Sequence, residues 1–136
     1  MGHVIPFADL EAFYDEPGEY GWILDAYKHG FAGISLIVTD TAPGGGPPLH
    51  THTCEEAVVV PPGAHMRYII GNEPLEVEGP AVVRIPAGTP HAFVNAGAER
   101  VSLVCVFPDR SVWDGYDELG ANPLLDQQPG SHVARR

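Results

Sequence analysis

Residues 44–56 read GGGPPLHTHTCEE, a glycine- and proline-rich loop that leads into two histidines and a pair of glutamates. No regular helix or strand accommodates the composition of residues 41–48, so this segment is predicted to be a loop. His50 and His52 are two positions apart, and residues at that spacing on a β-strand point to the same side. Both imidazoles can therefore face one interior, where Glu56 adds a charged oxygen.

Short apolar runs, rich in β-branched residues, lie on both sides of this loop and are separated by turn residues. The chain also contains 16 glycines and 14 prolines, which are poor in helix interiors and argue against a helix bundle. Regular short strands of this kind predict an all-β antiparallel sandwich or barrel. The predicted strands occupy residues 34–39, 57–60, 66–70, 75–77, 81–85, 92–94 and 101–107.

The length of 136 residues predicts one domain, with flanking segments around a central barrel at 34–108. Residues 1–33 contain seven of the twelve aromatics without a clean period, which indicates an N-terminal arm that covers a sheet face or a partner surface. Residues 109–136 form a C-terminal segment in which Trp113 and Tyr116 are candidate anchors. From residue 122 onward the segment reads as a polar tail.

The charge balance excludes several classes of partner. Seven Lys and Arg against 18 Asp and Glu give a net charge of −11, which repels phosphate backbones and anionic lipid surfaces. We therefore expect no nucleic acid and no membrane partner, and the absence of a long apolar run or a signal peptide predicts a cytoplasmic protein. The only two cysteines, Cys54 and Cys105, are expected to be reduced and unpaired.

A further candidate metal ligand, His91, follows a second proline- and glycine-rich turn at residues 86–90. Together with His50, His52 and Glu56 it gives three imidazoles and one carboxylate. Such a donor set suits one divalent transition metal, Fe, Mn, Ni, Co or Zn, and leaves coordination positions open. An open position is where a substrate or water would bind.

In these residues the sequence resembles the cupin superfamily. The first cupin motif, G-x5-H-x-H-x3,4-E-x6-G, is matched at every spacing by Gly44, His50, His52, Glu56 and Gly63. The second motif, G-x5-P-x-G-x2-H-x3-N, is matched by Pro86, Gly88, His91 and Asn95. Its opening glycine falls on Pro80, with Gly79 one residue early.

The resemblance implies a double-stranded β-helix, or jelly-roll barrel, that holds one metal ion inside through His50, His52, Glu56 and His91. Glu55 competes with Glu56 for the role of the acidic ligand. Only Glu56 fits the spacing of the motif, so Glu55 is interpreted as a solvated neighbour or as a base beside the site.

Other residues are candidates for the wall of a pocket next to the metal. Alternation places Met66 and Tyr68 on one face of their strand, the one predicted to point inward, and Phe93 has the same parity as His91. Tyr68 is a candidate acid or hydrogen-bond donor as well as a packing residue. With Glu55, these residues form the predicted pocket set.

The resemblance alone leaves the function open, because cupins include dioxygenases, isomerases, decarboxylases, lyases, cyclases and proteins that only bind ligands. A centre of charge near +1 attracts an anionic or chelating oxygen group. The favoured interpretation is a small metal-dependent enzyme that acts on a small organic substrate with such a group. The alternative is a non-catalytic metal-binding, ligand-binding or structural cupin. A homodimer is also expected, because the aromatic arm and an open sheet edge both need cover.

Overall fold

The computed structural model describes residues 2–125, and their main regular structure is the β-strand. One 3-10 turn (Phe7–Asp9) and one short helix, α1 (Ala26–His29), accompany the strands. In chain order the strands are β1 (Glu11–Asp15), β2 (Glu19–Leu24), β3 (Ser35–Thr41), β4 (Leu49–Thr51), β5 (Glu56–Val60), β6 (His65–Ile70), β7 (Glu73–Glu78), β8 (Ala81–Ile85), β9 (His91–Asn95), β10 (Val104–Phe107) and β11 (Asp117–Gly120).

The strands form two antiparallel sheets that enclose the core between them. One sheet has six strands in the order β1-β2-β3-β10-β5-β8, and the other has five in the order β11-β4-β9-β6-β7. Val58 and Ile85 of the six-stranded sheet belong to the same core cluster as Met66, Tyr68 and Phe93 of the five-stranded sheet. This architecture confirms the predicted all-β jelly-roll fold.

Alternation along the central strands decides which side chains reach the interior. In β5, Glu56, Val58 and Val60 are buried, whereas the residues between them are exposed. In β6, Met66 and Tyr68 are buried as predicted, and the intervening residues point outward. The candidate ligand Glu56 therefore occupies an inward position on the same strand as core residues Val58 and Val60.

The N-terminal segment differs from the predicted arm, because β1 and β2 form a hairpin that extends the six-stranded sheet beyond β3. The inward and outward positions of β2 do not follow hydrophobicity in the sequence. Its inward positions include Glu19 and Gly21, while aromatic residues occupy outward positions. Gly21 is required there because the Phe13 ring of β1 occupies the space that a β-carbon would need.

The C-terminal segment also contributes to the fold. β11 pairs with β4, which carries His50. Asn122 is buried, and its Nδ2 donates hydrogen bonds to the carbonyl oxygens of Pro47 and Phe93, both at 2.8 Å. Leu124 and Leu125 are buried as well. Asn122, Leu124 and Leu125 therefore do not belong to the predicted polar tail, and residues 126–136 lie outside the described part of the chain.

Two further expectations concern thiols and membranes. Cys54 and Cys105 are both free in the structure, as predicted. Among residues 2–125 there is no helix long and apolar enough to cross a membrane. The cytoplasmic location stays a prediction.

Candidate metal centre

Four candidate ligands come together at one end of the barrel. His50 of β4 lies opposite His91, the first residue of β9, in the antiparallel register. His52 follows β4 directly, and Glu56 opens β5 in the other sheet. All four side chains are buried. The loop at residues 41–48 and the turn at 86–90 thus deliver residues distant in sequence to one place.

The ring nitrogens of the three histidines lie within the range of a single ion. One ring nitrogen from each of His50, His52 and His91 lies within 4.8 Å of the others. Glu56 Oε1 is 3.1 Å from His91 Nε2 and 3.8 Å from His52 Nε2. Three nitrogens therefore converge, and the Glu56 carboxylate lies beside two of them.

Backbone carbonyls orient two of the imidazoles. His50 Nδ1 donates to the carbonyl oxygen of Pro48 at 2.7 Å, and His91 Nδ1 donates to that of Thr89 at 2.8 Å. In a neutral imidazole this leaves Nε2 with a free lone pair, which is the arrangement typical of metal-ligating histidines. The lone pair of His91 Nε2 would then face Glu56 Oε1 across 3.1 Å. Two acceptors at that distance need a proton or a cation between them, so the residues fit a metal ion.

Burial favours the neutral form of His50 and His52. It lowers the pKa of His50 to about 3, with the neighbouring His91 as the second cause. Burial also lowers the pKa of His52 to about 4, although the nearby Glu56 carboxylate acts in the opposite direction. Neutral imidazoles are the form that ligates metals, so these side chains need lose no proton to bind an ion at neutral pH.

A small cavity adjoins the four residues and continues into the barrel. Its water-accessible volume is about 50 Å³. Water molecules need roughly 10–15 Å³ each by this measure, so the cavity holds a handful of non-hydrogen atoms. Its walls are mostly apolar and include Ile37, Ile85, Phe93 and Phe107.

Aromatic residues from the two flanking segments form another part of the wall. The Tyr116 ring lies 5.4 Å from the ring of His50 and 5.5 Å from that of His52, measured between centroids. Trp113 contacts Tyr116 edge-on at 5.0 Å, and Phe13 lies 6.4 Å from Trp113. These three aromatic residues are called the aromatic wall below.

The aromatic wall is tied to the N-terminal part of the chain by long-range hydrogen bonds. Trp113 Nε1 donates to Glu11 Oε1 at 3.4 Å. The backbone N–H of Val112 donates to Asp25 Oδ1 at 2.9 Å, and Asp25 is buried. The segment after β10 is therefore held against β1 and the start of α1.

The predicted pocket residues separate into two groups. Tyr68 and Phe93 line the cavity, with ring centroids 5.3 Å apart. Met66 is fully buried in the core but does not line the cavity. Glu55 is exposed and lies in a shallow surface depression beside Ala57, since alternation directs its neighbour Glu56 inward.

Sequence reasoning missed several cavity residues. Trp113 and Tyr116 were expected to be anchors but not part of the wall of the site. Glu19 was not identified at all, although it is buried and lines the cavity. The only available signal was an acidic residue within an aromatic hairpin, and a single charge of that kind is usually solvated.

Comparison with known proteins agrees with this geometry. The family profile of the cupin domain matches residues 37–107. The chain belongs to the cupin family. The matched region of this cupin contains all four candidate ligands, whereas β1, β2 and the segment with Trp113 and Tyr116 lie outside it.

This cupin is also similar to individual proteins. Auxin-binding protein 1 of Arabidopsis thaliana is 28% identical over 102 residues, which cover 68% of this chain and 52% of that protein. The R92A mutant of Bacillus subtilis oxalate decarboxylase superposes with a TM-score of 0.73 at 22% identity, covering 88% of this chain and 34% of that chain. A second structure of the B. subtilis enzyme, from work on its Mn(II) centres, gives a TM-score of 0.68 at 21% identity, covering 82% and 31%. These solved structures share the fold, and the chain spans only about half of the relative and a third of each enzyme chain.

Proposed function

We propose that this cupin is an enzyme that binds one divalent transition metal through His50, His52, Glu56 and His91 and acts on a small organic molecule with a chelating oxygen group. The observation that carries the proposal is the convergence of three buried imidazoles on the wall of one cavity, with the buried Glu56 carboxylate beside two of them. A metal ion bound there would supply a Lewis acid, or an oxygen-activating centre if it is iron.

The protein's own residues position the ligand and control its surroundings. Pro48 and Thr89 hold two imidazoles in orientation through their carbonyl oxygens. The single carboxylate of Glu56 leaves a divalent centre near +1, which attracts an anionic oxygen. The mostly apolar walls lower the local dielectric constant, which strengthens that attraction.

The volume of the cavity and the similarity to oxalate decarboxylase structures indicate which ions and compounds to test first. The water-accessible volume of the cavity is about 50 Å³, so the smallest substrates are tested first. Among the similar structures, the oxalate decarboxylase of B. subtilis is described with Mn(II) centres. Mn(II) and Fe(II) are therefore the first ions to load, and small carboxylates and 2-oxo acids are the first compounds, followed by 1,3-dicarbonyls and phenols.

The proposal is tested by turnover of these compounds by metal-loaded protein, with two glutamate variants as a matched pair. We expect Glu56→Gln to lose at least about 100-fold in activity because it removes a ligand charge. Glu55→Gln should retain wild-type activity, because Glu55 is exposed outside the cavity. Oxygen consumption would indicate a dioxygenase, and turnover under nitrogen an isomerase, lyase or decarboxylase.

Metal binding without turnover of any of these compounds would contradict the enzymatic proposal. That result would favour a non-catalytic ligand-binding or structural cupin. Equal losses in Glu56→Gln and Glu55→Gln would contradict the assignment of Glu56 as the acidic ligand.

We also propose that the protein is a homodimer formed through the outer face of the six-stranded sheet. Val82 of the edge strand β8 is 68% exposed, and its register partner Val59 of β5 is 45% exposed. Apolar residues paired on an open sheet edge are stabilised when a second copy covers them. We expect light scattering at micromolar concentration to give twice the chain mass of 14.6 kDa.

Two lysine variants examine the proposed dimer surface. Val82→Lys should shift the protein towards the monomer, because it places a charge in the buried contact. Ala98→Lys adds the same charge in an exposed turn after β9 and should remain dimeric. A wild-type mass of 14.6 kDa would exclude the dimer.

A further inference from the structure

Tyr68 carries a buried polar atom that has no partner. Its hydroxyl oxygen is the one buried side-chain nitrogen or oxygen without a hydrogen bond in the part of the chain that the structure describes. The whole residue is 0% exposed. Buried hydroxyl groups in folded proteins are almost always hydrogen-bonded, because an unpaired one is unfavourable. The Tyr68 hydroxyl therefore needs a partner from outside the protein chain.

The cavity next to the candidate metal centre is where such a partner can come from. Tyr68 lines it, and the register places Tyr68 opposite Phe93 and Ile70 opposite His91. Tyr68 thus lies one inward-facing row further along the sheet than His91, a distance of about 7 Å along the strands. The Phe93 ring at 5.3 Å holds the Tyr68 ring in position.

The charges around the cavity restrict what that partner can be. Apart from Glu56, two acidic residues line the cavity, Asp15 and Glu19. No lysine or arginine is among its lining residues within 2–125. An anionic group far from the metal would therefore find no cation to pair with and would be costly to bury.

Glu19 is a buried acidic residue of the cavity wall that takes part in hydrogen bonding. It is buried, and the Thr41 hydroxyl donates a hydrogen bond to its Oε1. Burial raises the pKa of Glu19 to about 8; the Thr41 hydrogen bond opposes this rise, and the nearby Asp15 and Asp40 carboxylates add to it. Glu19 therefore adds a polar group to the cavity wall that carries little charge at neutral pH.

We infer that Tyr68 determines ligand specificity by hydrogen-bonding a neutral oxygen group at the end of the ligand that is remote from the histidines. The inference rests on the proposed function, in which His50, His52, Glu56 and His91 hold the metal that binds the other end. The ligand class is a small organic anion with one charged oxygen group and one hydroxyl or carbonyl group. A molecule with carboxylates at both ends is disfavoured.

Three acids of equal chain length separate these possibilities in calorimetric titrations of Mn(II)-loaded wild-type protein and Tyr68→Phe. Propionate has no polar group at its far end, 3-hydroxypropionate has a neutral one, and malonate has a charged one. We expect Tyr68→Phe to weaken 3-hydroxypropionate about 5- to 10-fold, the usual effect of one lost hydrogen bond. The affinity for propionate should change less than about 2-fold. The affinity for malonate should fall by a smaller factor than the affinity for 3-hydroxypropionate.

Tyr20→Phe is the matched control, because it removes a hydroxyl group from an exposed tyrosine outside the cavity. It should bind all three acids as the wild type does. The bound Mn(II), measured by elemental analysis, should be the same in all three proteins.

Each other outcome has a definite meaning. If propionate binds but Tyr68→Phe weakens all three acids equally or not at all, the specificity role is overturned and the proposed metal site stands. If Tyr68→Phe reduces the affinity for malonate more than the affinity for 3-hydroxypropionate, the neutral ligand class is overturned. If wild-type protein takes up no Mn(II) or binds none of the acids, the proposed function fails and this inference fails with it.

Discussion

Replacing His91 by alanine is expected to reduce the affinity for Mn(II) or Zn(II) by more than about 100-fold. Loss of a hydrogen-bonding partner behind a ligand already costs about 10- to 100-fold in metal affinity, and loss of the ligand itself should cost more. His91 also contacts Glu56 and packs against His50, with ring centroids 4.3 Å apart, so the change affects the whole cluster. Competition titration with a chromophoric chelator measures the affinity directly.

His65→Ala is the matched control for this prediction. His65 is on the exposed side of β6, where its Nε2 lies 2.8 Å from Glu76 Oε1. The substitution removes an imidazole of the same size but should leave the metal affinity unchanged. Circular dichroism of both variants shows whether the β-fold persists. A folded His91→Ala protein with wild-type affinity would refute the proposed ligand set.

The second large effect concerns pH and Glu19. Because the carboxyl group has a pKa of about 8 in the folded protein and 4.5 as its ordinary value, the folded state keeps a proton that the unfolded state releases. Between these two values the free energy of unfolding should therefore fall as pH rises, by up to about 1.4 kcal/mol per pH unit from this one group. Above the folded pKa the decline should stop.

Glu19→Gln removes this titration and keeps an acceptor for the Thr41 hydroxyl. In urea unfolding at pH 5, 6.5 and 8, the variant should gain stability over the wild type as the pH increases. Glu16→Gln removes the same charge from an exposed position in the adjacent turn and should follow the wild type. A constant difference between wild type and Glu19→Gln across this pH range would contradict the prediction.

The strands and the candidate ligands were predictable because their signals are local. Turn residues bound each strand of the barrel, and period-two alternation placed Met66 and Tyr68 inside. The spacing of His50, His52, Glu56 and His91 was enough to bring them to one site. The structure brings these four together, and their role as ligands remains our proposal.

The N-terminal hairpin was not predictable because the residue types at the inward and outward positions of β2 are the reverse of the usual apolar-inside pattern. Glu19 and Gly21 occupy inward positions, where apolar residues are expected, and Tyr20 and Trp22 occupy the alternate, outward positions. The Phe13 ring explains the glycine at position 21, and the cavity explains the buried acid at position 19. Both explanations depend on contacts between strands, which no local pattern reports.

The hydrogen bonds that hold the aromatic wall have a consequence for the order in which the site is assembled. Trp113 and Glu11 are 102 positions apart in sequence, and Val112 and Asp25 are 87 apart. Contacts this distant form late, because the chain entropy lost in closing long loops must be offset first. During synthesis from the N-terminus, all four proposed ligands emerge before Trp113 and Tyr116. We therefore expect the four proposed ligands to be open to solvent until the aromatic wall docks, which would give a metal ion a period of access.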